Sequence, residues 1–472
     1  MAVDATPGDL ADLGFRRLQE DLTRLDRIDR YVRGEHDDPY TPQSASDEYK
    51  LLAKRSVSNW LPLLVKTPSQ AMSVSGYRRE GTGAGQPSAE WSAWQDNRMD
   101  ARQNPVHRAA LMYGQSFVSV LRDPADPSRP IIRGISPRKL YASYEDPAAD
   151  MFPLWVFQIE ALPEKEGAEA QGWVYDDTYV YDVMVGGKDG PRVVGSRAHN
   201  MGRCPVVRFA PDIDLEGRVR GVVEPMIPIQ DRINQTVFDL LVAQTFGSFK
   251  VRTISGMAPE FKRDPETGEI LYDANGRPQP IPIRFEASRA LVAPDADTKF
   301  GQLDETPLGG FIEAIEAGVK TLAAVSQTPP HYLLGSVVNL SAEALAAAES
   351  ALSRAVDEYE HALGESWEAT LFLCAHAAGV EPDPTAQVLW ADKESRSLSQ
   401  TVDALGKAVQ MLQVPARALW SRIPGTTSTD LEEWRQIAEE DDAGARMAER
   451  MASALLPQAQ SDPEEEPEVT SA

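Results

Sequence analysis

Only two cysteines, Cys204 and Cys374, occur in 472 residues, far apart and each in an apolar setting. Neither belongs to a CxxC pair, so both read as buried free thiols of a reducing compartment rather than as a disulfide framework or a metal site. Long hydrophobic runs are missing as well. No stretch reaches the roughly 18 apolar residues of a membrane helix, so no membrane partner is expected. Met1 to Arg17 carries Asp4 and Asp9 without the apolar centre of a secretory leader. Positive charge is scarce: Lys and Arg number 47 against 72 Asp and Glu, a formal net charge of -25. So acidic a surface repels phosphate, which argues against tight gripping of nucleic acid but not against letting it slide past.

The motifs of common chemistries are absent too. There is no GxxxxGK[ST] phosphate loop, and the alternating Gly81, Gly83 and Gly85 lack the strand-to-helix setting of a dinucleotide fold. The histidines, His36, His107, His199, His331, His361 and His376, form no HExxH and no zinc spacing. No GxSxG elbow occurs. Asp212, Asp214, Glu216 and Gly217 open like a calcium loop, but Val223 stands where the closing Glu belongs and Glu224 comes one residue late. That segment reads as an exposed acidic turn, with a weak cation site as the alternative. No catalytic residue, metal or cofactor is expected.

What is present is an ordinary folded composition, 42% hydrophobic and 25% charged, with a clear order of elements. Leu18, Leu22, Leu25, Ile28 and Val32 recur at helical spacing within a helix from Leu10 to Val32. Leu51 to Val65 and Trp91 to Tyr113 continue the helical pattern. Short β-prone runs follow at 116–121, 131–135, 154–159, 179–185 and 206–209, separated by turn signals such as Asp146-Pro147 and Gly186-Gly187, and imply an antiparallel sheet. The first 220 residues therefore read as an α+β domain.

Helices return at Gly221. Val223, Met226, Ile229, Ile233, Val237 and Leu240 share a face, and Asp231, Asn234, Gln235 and Asp239 fall mostly on the other. A turn-rich insert follows, in which Asn275-Gly276 signals a hairpin between 270–272 and 281–283. Thr306-Pro307 starts a second helix with an apolar stripe of Leu308, Phe311, Ile315, Val319 and Leu322, and Glu313 and Glu316 off it. Thr328-Pro329-Pro330 ends it. A third helix from Ser341 to Ala378 would be about 57 Å long at 1.5 Å per residue. Residues 387–390 read as a strand and 397–413, 415–422 and 430–455 as helices. The tail from Ser461 is acidic and Pro-rich, the composition of a disordered segment.

Several blocks resemble portal proteins of long-tailed bacteriophages, especially those of actinobacterial hosts. They are Arg203-Cys204-Pro205-Val206-Val207 to Phe209, Gly221-Val222-Val223-Glu224-Pro225 through Asn234, Ser136-Pro137-Arg138 to Pro147, and Thr328-Pro329-Pro330 to Gly335 followed by the Ser341-Ala342-Glu343 helix. The resemblance implies an α+β portal-like fold: a wing over 1–220, a first stem helix over 221–248, a clip over 249–305 and a second stem helix over 306–327. A tunnel loop over 328–340, a long helix returning to the wing over 341–396, a helical crown over 397–456 and a disordered tail over 457–472 complete it. Other phage head proteins, such as a minor capsid or adaptor component, are the alternative.

The resemblance further implies a ring, usually of twelve subunits, at one capsid vertex of the virion, assembled in the host cytoplasm. Double-stranded DNA would enter and leave through its channel. The terminase large subunit, head-tail adaptor, major capsid and scaffolding proteins would be partners. Its expected functional residues are Asp231, Asn234, Gln235, Asp239, Glu313 and Glu316 in the stem. In the clip they are Lys250, Arg252, Lys262, Arg263, Asn275 and Gly276, whose cations would contact DNA or pair with a neighbour's acids. The expected channel lining is Leu333, Leu334, Gly335, Ser336, Val337, Val338, Asn339 and Leu340. Twelve copies would carry a summed charge on the order of -300, which keeps phosphate from sticking. No charged side chain lies between Thr328 and Ala342, so the loop is expected to act as an apolar gasket rather than a charged grip. Replacing both Val337 and Val338 with Asp should sharply reduce the DNA content of filled heads while native mass spectrometry still shows normal assembly. Normal filling would refute the gasket role.

Overall fold

The computed structural model describes residues 5–447 apart from 43–45, 80–87, 127, 164, 166, 189, 248–251, 256–260, 274–275, 280–298, 303–306, 336–341, 392–397, 424–425, 427–429, 432, 439 and 441–445. The helices are α1 (Pro7–Val32), α2 (Asp47–Arg55), α3 (Leu61–Ala71), α4 (Ala89–Asp96), α5 (Met99–Tyr113), α6 (Ile227–Gly247), α7 (Gly309–Val325), α8 (Pro330–Leu334), α9 (Ala342–Ala378) and α10 (Leu398–Leu412). The strands are β1 (Val74–Arg78), β2 (Ser116–Arg122), β3 (Pro130–Ile135), β4 (Leu140–Ser143), β5 (Trp155–Ile159), β6 (Ala170–Tyr175), β7 (Tyr179–Val185), β8 (Arg192–Ala198), β9 (Val206–Phe209), β10 (Arg252–Ser255), β11 (Lys299–Gln302) and β12 (Gln387–Trp390). The class is α+β. The chain divides into two compact units. Unit 1 draws on Met1–Asp26, Val65–Val222 and Ser353–Ala472, and unit 2 on Arg27–Leu64 and Val223–Leu352.

Unit 1 is built on an antiparallel meander, β4-β5-β6-β7-β8, and a three-stranded sheet, β3-β2-β9. Strand alternation sends successive β5 side chains to opposite faces. Trp155, Phe157 and Ile159 meet Ala11, Phe15 and Leu18 of α1. Val156 points the other way and joins Phe117 of β2, Val180 and Val206. A Cβ on Gly14 would collide with Phe157, so α1 lies directly against the sheet. The start of α1 is fixed by a reciprocal cap: Asp9 N donates to Thr6 Oγ1 at 3.3 Å, and Thr6 N donates to Asp9 Oδ2 at 3.0 Å. Cys204 and Cys374 are buried free thiols, and burial pushes both above the ordinary thiol pKa.

A second centre gathers around Trp367 of α9. Its ring meets Phe209 edge-on at 4.5 Å and Trp94 of α4 at 4.9 Å, and its indole N–H donates to His107 Nε2 at 2.8 Å. Burial depresses His107 to a pKa of about 4, so it is the neutral imidazole that accepts.

Three expectations from sequence change here. The pattern from Trp91 to Tyr113 breaks into α4 and α5, because Asn97 Nδ2 donates to Ala93 O and Pro130 O while its Oδ1 accepts from Ile132 N. The side chain thus closes one helix and ties it to β3, and Arg98 adopts a left-handed φ of 56° before α5. The pattern from Leu51 to Val65 divides between α2 and α3. The strands β4, β6 and β8 were not read from sequence. In β6 the buried positions Ala170 and Gly172 carry small residues, and β8 is an edge strand with every position at least partly exposed, so neither shows strong apolar alternation. The run 415–422 forms a 3-10 helix over Ala416–Arg422, residues 433–438 are helical, and the tail lies outside the described residues.

In unit 2, α6 packs on α7, and a Cβ at Gly318 of α7 would lie 2.8 Å from Ile233 Cγ1 of α6. The helices meet through a glycine notch. β10 and β11 pair antiparallel from Arg252↔Gln302 to Ser255↔Lys299 and close the base of the insert between the two helices. α9 runs unbroken for 37 residues, about 55 Å. It gives its first eleven residues to unit 2 and the rest to unit 1. Trp367→Ala should lower unfolding stability by about 3–5 kcal/mol, the usual cost of emptying a buried Trp site, read as a lower urea midpoint with unchanged slope. A shift within error would show that the aromatic centre is not a core.

Candidate functional site

The polar residues of α6 organise unit 2. Gln230 and Asn234, one turn apart, are 0% and 1% exposed. Gln230 Nε2 donates to Ser58 O at 2.7 Å and to Asn234 Oδ1 at 2.9 Å, and its Oε1 accepts from Trp60 N at 3.2 Å. Asn234 Oδ1 also accepts from Ser58 N at 3.3 Å. With its oxygen so engaged, Asn234 presents Nδ2–H to His36 Nδ1 at 2.8 Å. His36 Nε2 must then carry the hydrogen that Tyr31 O accepts at 2.9 Å. His36 stacks on the Tyr31 ring with centroids 4.7 Å apart.

A parallel ridge on the same helix consists of Asp231, Gln235 and Asp239. Tyr31 Oη lies 2.9 Å from Asp231 Oδ1. Gln235 Oε1 accepts from Tyr40 N at 2.9 Å, and its Nε2 donates to Asp239 Oδ1 at 3.1 Å. These contacts correct the sequence reading of α6. The buried face runs through Met226, Ile227, Gln230, Ile233, Asn234 and Phe238, and Ile229, Val237 and Leu240 are only partly buried. Asn234 is an interior residue. Polarity argued for solvent, but partners on residues 36, 58 and 60 satisfy these amides.

On α7 the sequence stripe fits better. Val319 and Leu322 are buried, Phe311 and Ile315 partly so, and Glu313 and Glu316 are exposed. Glu316 pairs with Lys320 at 3.7 Å across open solvent, a contact worth little. The first half of α7 leaves apolar surface uncovered, with Ile312 52% exposed. The expected cap Thr306 lies outside the described residues. Leu308 occupies that position without a side-chain cap bond.

The loop after α7 is anchored at its start. Trp60 Nε1–H donates to Leu333 O at 3.3 Å, and Leu333 is 8% exposed. Leu333 therefore serves the interior of unit 2 and does not line an open surface. Leu334 is partly buried, and Gly335 is exposed at a φ of 66°, a left-handed helix end. Tyr332 Oη donates to Glu349 Oε1 at 3.5 Å, tying α8 to α9. Ser336, Val337, Val338, Asn339 and Leu340 lie outside the described residues.

The insert shows a small ribbon. Leu271 N donates to Lys262 O and Gln279 N to Leu271 O, each at 2.8 Å, and Tyr272 bridges Pro278. Asp273 Oδ1 accepts from Arg277 N at 2.8 Å and Asp273 O accepts from Gly276 N at 3.0 Å, which closes the turn between these arms, and the expected arm 281–283 lies outside the described residues. Gly276 lies in that turn at a φ of 74°. Arg263 donates to Gly268 O at 3.1 Å within its own turn. Lys262 is exposed. Arg252 is described in its backbone only, and Lys250 and Asn275 lie outside the described residues.

The calcium-like segment is a turn in unit 1. Asp214 Oδ1 accepts from Glu216 N and Arg218 N, and Oδ2 pairs with Arg218 Nε at 2.8 Å, so its own loop occupies the carboxylate. Gly217 sits at a φ of 77°.

Two of the sequence blocks converge in unit 1. Arg208 lies over the Tyr144 ring at 4.2 Å and donates to Pro147 O at 2.6 Å. Ser366 Oγ donates to Arg208 O at 2.9 Å. Arg203 lies between Phe152 and Phe372 at 4.8 and 4.9 Å. Arg138 Nη2 pairs with Asp26 at 2.7 Å. These short motifs are joints of the fold.

Residues 15–446 match the family described as phage portal protein, SPP1 Gp6-like. The chain belongs to that portal family. Among curated proteins it is similar to the portal protein of Mycobacterium phage D29, 27% identical over 405 residues that cover 81% of this chain and 78% of that protein. The portal protein of Mycobacterium phage L5 is 26% identical over 371 residues, 73% of this chain and 71% of that protein. Both relatives come from phages of an actinobacterial host, as the sequence blocks suggested. Among the described residues of this portal-family chain, no helix is long and apolar enough to cross a membrane.

The amide ladder on α6 is testable. Asn234→Ala would leave a Gln230 Nε2–H and His36 Nδ1 without their Asn234 partner in the interior, at about 1–3 kcal/mol for each unsatisfied buried group. Its thermal midpoint should fall well below that of Gln235→Ala, whose site is partly exposed. Equal midpoints would refute the interior role of Asn234.

Proposed function

We propose that this chain is the subunit of a ring at one capsid vertex of a phage virion, a structural conduit through which double-stranded DNA is packaged and ejected. The observation that carries this reading is the family match over residues 15–446. In it, α6 and α7 are the two stem helices, residues 249–305 between them the clip, and residues 1–220 the wing. Residues 328–340 are the tunnel loop, 341–396 the long helix and its return to the wing, and 397–456 the crown. The ring assembles in the host cytoplasm with capsid and scaffolding proteins. The clip docks the terminase large subunit during packaging and the head-tail adaptor afterwards.

Several physical features favour these assignments. β10 and β11 close the insert at its base, so it stands as a module between two packed helices. The uncovered apolar residues of α7, Ile312 and Val325, have the character of a surface buried against neighbouring copies. The net charge of -25 suits a conduit that must not bind its cargo, since every phosphate held by a cation adds affinity that translocation must break. With Leu333 committed to the interior, the lining role passes to Leu334, Gly335 and residues 336–340. Trp60 and Glu349 then anchor a loop whose tip is apolar.

Native mass spectrometry of the purified chain should give a closed assembly near twelve times 51.8 kDa, with a central hole in negative-stain images. A monomer or dimer that persists across salt and protein concentration would overturn the ring and favour another role in the phage head.

A further inference from the structure

Where α1 meets α6, three side-chain oxygens share too few protons. Tyr31 Oη lies 2.9 Å from Asp37 Oδ2 and 2.9 Å from Asp231 Oδ1. A phenol has one hydrogen and an ionised carboxylate has none, so the hydroxyl can satisfy only one of the two acids. The remaining contact would set two oxygens 2.9 Å apart with no hydrogen between them. Asp37 N also donates to Tyr31 Oη at 3.4 Å, which occupies one lone pair of that oxygen and leaves the other for a second donor.

The two acids have unequal surroundings. Asp37 pairs with Arg30 at 3.0 Å and lies 3.9 Å from Arg27. Burial pushes its pKa upward, but the Arg30 and Tyr31 hydrogen bonds and the arginine charges together hold it below the ordinary carboxylate value. Asp231 is raised: burial is the largest cause, the Tyr31 hydrogen bond opposes it, and the charge of Asp37 adds to it. Arg27 is the cation that acts against that rise, and His36, whose ring nitrogens are engaged by Asn234 and Tyr31 O, is the other titratable side chain nearby. From α2 the group facing α6 is Tyr49, seated on Phe238 two turns further along. On α7 the contact is the uncharged Gly318–Ile233 notch.

We propose that Asp231 takes a proton from solvent and donates it to Tyr31 Oη, while Tyr31 donates its own to Asp37, so that protonation fastens the first stem helix to the end of α1 and ionisation loosens it. The sign follows from the two acids. A carboxyl raised in the folded state stabilises at the acid end, and that contribution is lost as pH rises through its folded pKa. Asp37, depressed, contributes above its unfolded value and loses that contribution as pH falls through its own. The complete proton chain therefore occupies the window between the lowered pKa of Asp37 and the raised pKa of Asp231. The proposal concerns contacts within one chain, so it stands or falls separately from ring formation.

The test is hydrogen exchange of the full chain, read by mass spectrometry on peptides from the first half of α6, from about pH 7.5 down to about pH 4, the ordinary carboxylate range, with intrinsic rates corrected. Protection should rise several-fold as the pH falls. Asp231→Asn carries a permanent donor of the same shape and should hold the protected level throughout. Tyr31→Phe removes the bridging oxygen and should be poorly protected at both ends. A flat wild-type profile would overturn the proposal. So would a pH response that survives in Asp231→Asn, since it would assign the effect to a group other than Asp231. If Tyr31→Phe fails to fold, the comparison of wild type with Asp231→Asn still decides.

Discussion

The arrangement of unit 2 depends on two amides that must never meet water. Gln230 and Asn234 are fully buried on α6, and between them they engage Ser58, Trp60 and His36. A buried amide left without partners costs more than the bond it replaces contributes, so the segments carrying those partners have essentially one position. Through His36 the same ladder reaches the last turn of α1, and Trp60 carries it on to the carbonyl of Leu333. Apolar packing alone would have allowed α6 to rotate under these loops. Directional bonds fix its rotation, and with it the face that meets α7 at Gly318.

Much of this was legible in the residues because the dominant signals are periodic. α1, α7, α9 and strands β7 and β9 follow their apolar spacing, and the motif blocks pointed to the family that the comparison established. The failures share one physical origin. Sequence polarity says what a side chain costs to bury, not whether distant residues will meet that cost. Asn234 reads from polarity as outward, yet it is interior because Ser58 and His36 return to bond it. Asn97 likewise looks like any residue of a helix until Pro130 and Ile132 arrive to accept and donate. Leu333 looked like loop lining because its anchor, Trp60, lies 273 residues away in the chain. The turn at Gly276 is closed by the Asp273 side chain, a contact that the Asn-Gly signal by itself does not contain.

The contrast between the helices suits a conduit. α6 is bound on one side by directional polar contacts within its own chain. The opening half of α7 keeps apolar side chains uncovered beside exposed acids. A surface of that kind is stable in water only at modest size, and it becomes favourable when equivalent surfaces from neighbouring copies close over it. In the proposed ring, the exposed acids of α7 would repel a passing polyanion rather than hold it. On that proposal function rests on geometry and charge sign, and Trp60 ties the start of the segment after α7 through Leu333 O.

The most direct test is a cryo-electron microscopy reconstruction of the assembled chain. It should show a closed ring in which α6 and α7 surround the central channel, residues 336–340 project into it, and the segment joining β10 to β11 stands at one end. A ring with α6 and α7 on its outer wall, or with the segment after α8 turned away from the channel, would contradict the assignment of stem and loop.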